Sequence, residues 1–254
     1  MDPFSIALAA FANEVGKQAG VAAFQALIGN SNQSEQSLLA EFSRYLEQFA
    51  IQIRFDIRNS FREQRKYDAE LDFKQTIRLV NLYKSSKKSS ADILDELTVS
   101  ASNCSEALID IGPAAYANFT LATTMEIAIW QERSRKIHRN ASKTISEYII
   151  PRARVAAEQM QVELRNHLES RYSPVLSRMT FDQKTQEPTA IEFSYNFDGR
   201  RVYGYRAFAD QDISEQRKIS ENVGLHRAAH IENEWKKILR ELHEANAAVD
   251  SWQE

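Results

Sequence analysis

One segment of the chain is apolar on nearly every side of a helix. Residues 112–131, GPAAYANFTLATTMEIAIWQ, contain a single charged residue, Glu126, and open on Gly112-Pro113, a pair that ends one segment and begins a helix. The charged run ERSRK follows directly. A helix without a polar face is either enclosed by other elements or placed in a membrane. Because the neighbouring segments are amphipathic, the pattern predicts a helix enclosed by other helices.

Long amphipathic segments flank this apolar stretch. From Glu35 to about Lys84 the chain has no Gly or Pro, and its apolar residues recur mainly three and four positions apart, the spacing of a helix. This pattern predicts either one continuous helix or two helices that meet near residues 66–68, where the apolar spacing thins. The polar run SSKKSS, residues 85–90, predicts a turn.

Two more helical segments follow that turn. The first is predicted over residues 92–111. The second begins at Pro113, continues through the charged run to about Ile149, and is kinked or restarted at Pro151 before it ends near Tyr172.

The pattern then changes to that of β-strands. Residues 189–197 and 201–208 alternate and are rich in aromatic and β-branched residues, and Asp198-Gly199 between them is typical of a two-residue hairpin turn. Residues 179–185 predict a third strand. From Ile213 onward the spacing is helical again.

Together these segments predict a mainly α fold. It is a bundle of five to six long helices around an apolar central helix, with a small antiparallel β-hairpin or three-stranded sheet and a C-terminal helix. We place the helical bundle in residues 1–175. Residues 176–254 are predicted to form the hairpin and the C-terminal helix, packed on the bundle.

The composition narrows the classes of function. The 254 residues carry a formal net charge of -3, which argues against a nucleic-acid-binding protein, for which a basic excess is expected. Cys104 is the only cysteine, so no intramolecular disulfide forms. The N-terminus carries Asp2 where a signal peptide has a basic region. We therefore expect a soluble protein, cytoplasmic or released without a classical signal peptide, that is able to associate with membranes.

No catalytic motif is present in the sequence. It has no GxSxG, P-loop, GxGxxG or CxxC pattern, and we expect neither enzyme activity nor a cofactor. His226 and His230 lie four positions apart with Glu234 one turn further, a spacing that places three metal ligands on one helical face. The HExxH form is absent, ordinary packing histidines are the alternative, and we expect no metal. Cys104 is interpreted as a small buried hydrophobic residue.

The N-terminal run is the first candidate for contact with a membrane or a partner. Residues 3–29 are rich in alanine and hold two charges. They form either a core or capping helix of the bundle or a conditionally exposed membrane-active helix. The apolar residues proposed for this contact are Phe4, Ile6, Phe11 and Phe24.

Basic segments are the second candidate. Arg54, Arg58 and Arg62 recur at every fourth position and predict a basic stripe on one helix, and residues 133–154 form a second basic segment. Such surfaces dock on an anionic membrane or on an acidic partner. The alternative is a solvated face, or ion pairs with acidic residues on a neighbouring helix.

Glu126 is the candidate buried polar site. A carboxylate in a helix enclosed by other helices must be paired, hydrogen-bonded or protonated. We expect its partner to be a hydroxyl group or a basic residue of the long segment. The basic candidates are Arg54, Arg58, Arg62 and Arg78.

Two stretches carry a resemblance to a known family. PAAYANFTLATTMEIAIWQERSRK (113–136) and LLAEFSRYLEQFAIQIRFDIRNSFREQRKY (38–67) resemble the central and outer helices of the N-terminal pore-forming domain of Cry-type insecticidal toxins. The likeness is one of pattern and covers residues 20–175. The residues after it are too few for that family's two β-rich receptor-binding domains. The long segment 35–84 is also similar to the elongated two-component α-helical toxins.

The resemblance implies insertion of a helical hairpin into a membrane and formation of an oligomeric pore. It implies no catalytic residues, and it leaves targeting to a partner protein. We therefore carry two hypotheses forward. One is a non-enzymatic membrane-active protein, a component of a multi-protein toxin. The other is a helical interaction or scaffold protein that binds a protein partner or a second copy of itself.

Overall fold

The computed structural model describes residues 35–85, 91–136, 141–208 and 210–252. By their contacts these residues fall into two units. The helical unit contains the described residues up to Leu164 together with those from Leu242 onward, and the sheet unit is Arg165–Glu241. The division expected at residue 175 differs from this one, because residues 165–175 group with the sheet and the last helix groups with the helical unit.

The described residues of the helical unit form helices of different lengths. Their bounds are α1 (Glu35–Ile53), α2 (Ser60–Ser85), α3 (Ala91–Ile111), α4 (Tyr116–Lys136), α5 (Ala141–Thr144), α6 (Ile150–Ser170, which continues into the sheet unit) and α8 (His243–Ser251). A 3₁₀ turn, Pro113–Ala115, precedes α4, and a π-helical segment, Ile145–Ile149, lies between α5 and α6. The predicted mainly α fold is confirmed.

Helix α4 is the central helix of its unit. Every residue from 113 to 129 is buried. The other helices bury apolar side chains that include Phe42, Leu46, Phe73 and Leu108. Phe42 of α1 stacks on Phe73 of α2 with ring centroids 4.1 Å apart. The apolar stretch, residues 112–131, is therefore enclosed by other helices, as predicted from its lack of a polar face.

Helices α1 and α2 are separated by residues 54–59. Helix α1 ends where Arg54 takes a left-handed backbone conformation, with φ of 54°. The amide of Phe55 then donates to the carbonyl of Ala50 at 2.8 Å. Helix α2 begins after Asn59, whose Oδ1 accepts a hydrogen bond from the amide of Arg62 at 2.9 Å, a standard N-cap contact. Both sequence-based alternatives, a continuous helix and a break near residues 66–68, are wrong.

Two prolines mark boundaries in this unit. Gly112 ends α3 with φ of 91°, a conformation that favours glycine, and Pro113 opens the 3₁₀ turn that leads into α4. Pro151 lies in the first turn of α6. The amide of Ile150, just before it, donates to the carbonyl of Ile145, a π-type bond. The helix is thus restarted at Pro151 through a π-helical turn.

The sheet unit contains three antiparallel strands and one long helix. The strands are β1 (Leu176–Phe181), β2 (Pro188–Phe197) and β3 (Arg200–Phe208) in the order β1-β2-β3, and the helix is α7 (Ile213–Glu241). Asp198 and Gly199 join β2 to β3 with φ of 52° and 75°, both positive as a type I′ turn requires. The predicted hairpin is confirmed. The third strand occupies residues 176–181 rather than 179–185, because Asp182 Oδ1 accepts the amides of Lys184 and Thr185 and closes a turn there.

Candidate functional site

An ion pair between a buried carboxylate and a partly exposed arginine lies at the side of α4. The Glu126 side chain is 2% exposed, and its Oε2 lies 2.9 Å from Nη2 of Arg152 on α6. The same Oε2 lies 2.8 Å from the Ser105 hydroxyl on α3. Arg152 also donates through Nη1 to Glu106, at 2.7 Å, on the outer surface of α3. Glu126 is thus paired by both kinds of group that we expected, an arginine and a hydroxyl.

The arginine is a different one from the four that the sequence suggested. Arg152 lies 26 positions from Glu126 along the chain and approaches it from α6. Of the four candidates, Arg54 follows the end of α1, Arg58 lies in the connection to α2, and Arg62 donates to the carbonyl of Asp56. Arg78 is exposed on α2. No pattern in the sequence marks Arg152 as the partner of Glu126, because its approach depends on how α6 packs.

The burial of Glu126 governs its protonation. Burial raises the pKa of its carboxyl above the ordinary value, while the Arg152 guanidinium and the Ser105 hydroxyl act in the opposite direction. Both oxygens already accept hydrogen bonds, since Nη2 of Arg152 also lies 3.2 Å from Oε1. A carboxylate with its acceptor sites occupied and almost no exposed surface is arranged for structural pairing rather than for proton transfer to a substrate.

A groove lies beside the ion pair. It has a volume of about 290 Å³, and it is lined by the apolar and aromatic side chains of Val99, Trp130, Tyr148 and Ile149 as well as by Thr98, Ser102, Glu126 and Arg152. Tyr148 and Ile149 belong to the π-helical segment. The volume is at the lower limit of small-molecule sites, roughly 300–1,000 Å³.

Other polar groups of α4 bond to other elements of the helical unit. Asn118 donates to the carbonyl of Phe42 on α1 at 2.9 Å. Thr124 accepts from the indole of Trp252, which follows α8, at 3.0 Å. Glu132 accepts from the hydroxyl of Tyr83 on α2 at 2.8 Å. With the Glu126 contacts, α4 has side-chain hydrogen bonds to α1, α2, α3, α6 and the segment that ends in Trp252.

The prediction of a basic stripe on one helix is wrong, because Arg54, Arg58 and Arg62 do not lie on the same helix. Arg54 follows the end of α1, Arg58 lies in the connection and Arg62 lies in the first turn of α2. Arg62 donates to the carbonyl of Asp56 at 2.9 Å and stacks over the Phe55 ring at 4.5 Å. A groove of about 420 Å³ beside the connection is lined by three basic residues, Arg54, Arg58 and Lys66, and by three acidic ones, Glu47, Asp56 and Glu63. The charges in this groove balance.

Three arginines of the second basic segment bond to neighbouring elements. Arg133 forms an ion pair with Asp95 of α3 at 2.7 Å, and Arg152 pairs with Glu106 and Glu126. Arg154 donates to the carbonyl of Trp252 at 2.7 Å. Arg133 and Arg152 thus make the ion pairs with an acidic residue of a neighbouring helix that were one interpretation of this segment. The four apolar N-terminal candidates, Phe4, Ile6, Phe11 and Phe24, lie outside the residues that the structure describes.

The two histidines of α7 each contact a tyrosine in the sheet unit. Nδ1 of His226 lies 2.9 Å from the Tyr195 hydroxyl, and Nδ1 of His230 lies 3.0 Å from the Tyr172 hydroxyl. Tyr203 stacks on the His226 ring with centroids 3.8 Å apart. In the described ranges, no group of three or more His, Cys, Asp or Glu side chains is placed to hold a metal ion.

Cys104 is buried inside the helical unit. Its Sγ lies 3.4 Å from the carbonyl oxygen of Ala69. Burial raises the pKa of the thiol well above its ordinary value, which keeps it in the unreactive protonated form. Its position agrees with the interpretation of Cys104 as a small buried hydrophobic residue.

Comparison with known proteins finds no relative: no protein-family model matches the chain, and no curated protein or solved structure matches it significantly. A membrane-crossing helix requires both length and apolar character, and no helix in the described part of the chain combines the two.

Proposed function

We propose that the protein is a non-enzymatic interaction protein, in which the helical unit is a stable scaffold. The observation that carries this proposal is the set of hydrogen bonds made by the polar side chains of α4. They reach five surrounding elements, and the α4 residues that make them, Asn118, Thr124, Glu126 and Glu132, are buried. A helix that inserts into a membrane must first leave its neighbours. We would expect such a helix to make few buried hydrogen bonds to them.

The energy of these contacts supports the scaffold. A buried polar group that loses its partner costs about 1–3 kcal/mol, and more when it is charged. Withdrawal of α4 would separate Glu126 from Arg152, Asn118 from the Phe42 carbonyl and Thr124 from the Trp252 indole at once. The sum is comparable to the whole stability of a domain, roughly 5–15 kcal/mol.

The membrane-active hypothesis remains a second proposal because α4 is enclosed on all sides. In that proposal the protein is a toxin-like component whose bundle opens at an anionic membrane, with or without a partner protein. It predicts that membranes change the protection of α4. The scaffold proposal predicts that they do not.

Hydrogen exchange measured by mass spectrometry separates the two proposals. The protein is incubated with and without vesicles containing anionic phospholipid, at pH 5 and pH 7.4, and leakage of a trapped dye is followed in parallel. The scaffold proposal expects the amides of α4 to exchange slowest under all conditions, without leakage. Faster exchange in α4 together with dye release would overturn it in favour of membrane activity.

A positive test of the interaction function uses photo-cross-linking. A photoreactive residue is introduced on the exposed surface of the sheet unit in one variant, and at exposed Glu158 of α6 in a control. A single species captured by the first variant and not by the control, which then forms a stoichiometric complex with the purified protein, is the expected result. The absence of such a complex from native extracts contradicts the proposal.

A further inference from the structure

Three charged residues form a row across one face of the sheet. In the strand register, Arg178 of β1 is directly opposite Glu192 of β2, and Glu192 is directly opposite Arg206 of β3. Directly paired residues of neighbouring strands project to the same face. The opposite face carries Tyr195 and Tyr203, which contact His226 of α7. The row therefore lies on the face turned away from α7.

A third arginine, near the start of β3, joins the row. Nη2 of Arg201 donates to Oε1 of Glu192 at 2.7 Å. Its guanidinium lies across Gly204, where a Cβ atom would be only 2.2 Å from Nη2. The missing side chain at Gly204 thus leaves the space in which Arg201 reaches Glu192.

The positive charges of this face exceed the negative ones. Glu192 pairs directly with Arg201 alone, and in the described part of the chain Arg178 and Arg206 make no direct ion pair. Both lie close enough to lower the pKa of Glu192, an effect in which the Arg201 hydrogen bond is the largest cause. Arg178 and Arg206 are exposed, and so are Leu176 and Phe208, at 42% and 60%, at the ends of the same face.

We propose that this arginine face, defined by Arg178, Arg201 and Arg206 around Glu192, binds an acidic segment of a protein partner. The inference rests on the proposed interaction function and names the chemistry of the partner. Guanidinium groups bind carboxylates through two parallel hydrogen bonds, a geometry that a lysine does not supply. Arg178 and Arg206 are two strand spacings apart, roughly 10 Å, so the segment presents two carboxylates at about that separation.

The size of the charge excess favours a short acidic segment over a polyanion. Anionic membranes attract clusters of roughly four to eight basic residues, and a DNA-binding protein makes several phosphate contacts at once. Two uncompensated arginines on a protein of net charge -3 supply much less. The exposed Leu176 and Phe208 provide apolar contact at the rim, as in protein interfaces.

Fluorescence anisotropy with a defined probe tests the inference. The probe is a labelled peptide with glutamate at every third position among glycine and serine, and a peptide with glutamine at those positions is its control. The full chain is expected to bind the glutamate peptide, and binding is expected to weaken as salt is raised. The double substitution Arg178→Gln and Arg206→Gln should reduce the affinity roughly tenfold.

Two further variants make the test specific. The control Arg217→Gln with Lys218→Gln removes the same charge from α7, where Arg217 is highly exposed, and should leave binding unchanged. Glu192→Gln removes the carboxylate that competes within the face and should strengthen binding. The inference is wrong if the full chain does not bind the peptide, if both double variants bind equally, or if Glu192→Gln weakens binding.

Two other probes identify a different occupant. The acidic-segment inference is overturned if the full chain binds a single-stranded oligonucleotide of equal charge more tightly than the glutamate peptide. It is also overturned if the chain binds anionic vesicles but does not bind the glutamate peptide. These results do not test the scaffold proposal. That proposal is tested separately, by hydrogen exchange of the α4 amides. Peptide binding together with vesicle-induced opening of α4 would keep the inference and remove the scaffold.

Discussion

At the scale of single residues, Glu126 is subject to opposing effects. Burial disfavours its charged form, Arg152 and Ser105 favour it, and the net result is a pKa above the ordinary value of 4.5. Over the pH range between that value and the pKa in the folded state, the folded protein retains a proton that the unfolded chain has released. The free energy of unfolding therefore falls as the pH rises through this range.

The substitution Glu126→Gln removes this titration. We expect the wild-type protein to lose stability relative to Glu126→Gln as the pH is raised above 4.5, because only the wild type must ionise a buried carboxyl. Urea unfolding at several pH values between 4.5 and 7.5 measures the difference. Glu158→Gln, an exposed position on the same helix as Arg152, is the control and should follow the wild type. Parallel pH profiles for the wild type and Glu126→Gln would contradict this account.

The sequence was informative about Glu126 and silent about Arg152. A lone carboxylate in an apolar helix implies burial and a partner, because both follow from solvation alone. Which arginine reaches it depends on the direction of α6 after the π-helical segment, and that direction comes from tertiary packing. For the same reason, the row of Arg178, Glu192 and Arg206 was missed, since it exists only once the strand register is known.

At the scale of elements, the break between α1 and α2 shows how a helix ends without Gly or Pro. Arg54 adopts the left-handed conformation itself, and Asn59 supplies the cap of the next helix. Asp56 Oδ1 accepts the amide of Arg58 at 2.8 Å within the connection. Short polar side chains that bond their own backbone compete with the helix, and this local signal was present in the sequence as Asp56 and Asn59.

The substitution Asn59→Ala tests the cap. Loss of the side-chain acceptor leaves the amide of Arg62 without its partner and is expected to cost about 1 kcal/mol of the free energy of unfolding. Asn59→Asp keeps an acceptor at the same position and should cost much less. Equilibrium unfolding in urea measures both. Equal losses in the two variants would show that the cap does not define the start of α2.

The break also explains why two apolar residues of α2 are exposed. Phe61 and Leu71 follow the apolar spacing of α1 when it is continued without interruption, yet they are 59% and 54% exposed. Helix α2 starts in a new phase and buries Ala69, Phe73 and Val80 instead. Periodicity predicts which segments are helical, whereas the buried face depends on where each helix starts.

At the scale of the whole molecule, the last helix belongs to the helical unit although the sheet unit precedes it in the chain. The contact between Thr124 and Trp252 joins residues 128 positions apart. Tyr116 at the start of α4 donates to Asn246 of α8 at 2.8 Å, and Gln161 of α6 donates to both. The helical unit is therefore completed only when the C-terminal segment is in place.

Substitution of Trp252 tests whether the C-terminal segment completes the helical unit. Trp252 is 1% exposed, it meets the Phe119 ring edge-on with centroids 6.3 Å apart, and its carbonyl accepts from Arg154. We expect Trp252→Ala to cost about 3–5 kcal/mol, because it opens a cavity against α4. Trp252→Phe keeps much of the aromatic ring but loses the indole hydrogen bond to Thr124. The loss of this bond should lower the free energy of unfolding by about 1 kcal/mol, in addition to the effect of the smaller ring on packing.

A double-mutant cycle with Thr124→Val isolates that hydrogen bond. A coupling free energy of about 1 kcal/mol between positions 124 and 252 is expected from urea unfolding. Hydrogen exchange on Trp252→Ala should show faster exchange in α4 than in the strands, because the lost contacts lie in the helical unit. Uniform acceleration across both units, or no coupling in the cycle, would mean that the C-terminal segment does not close the helical unit on α4.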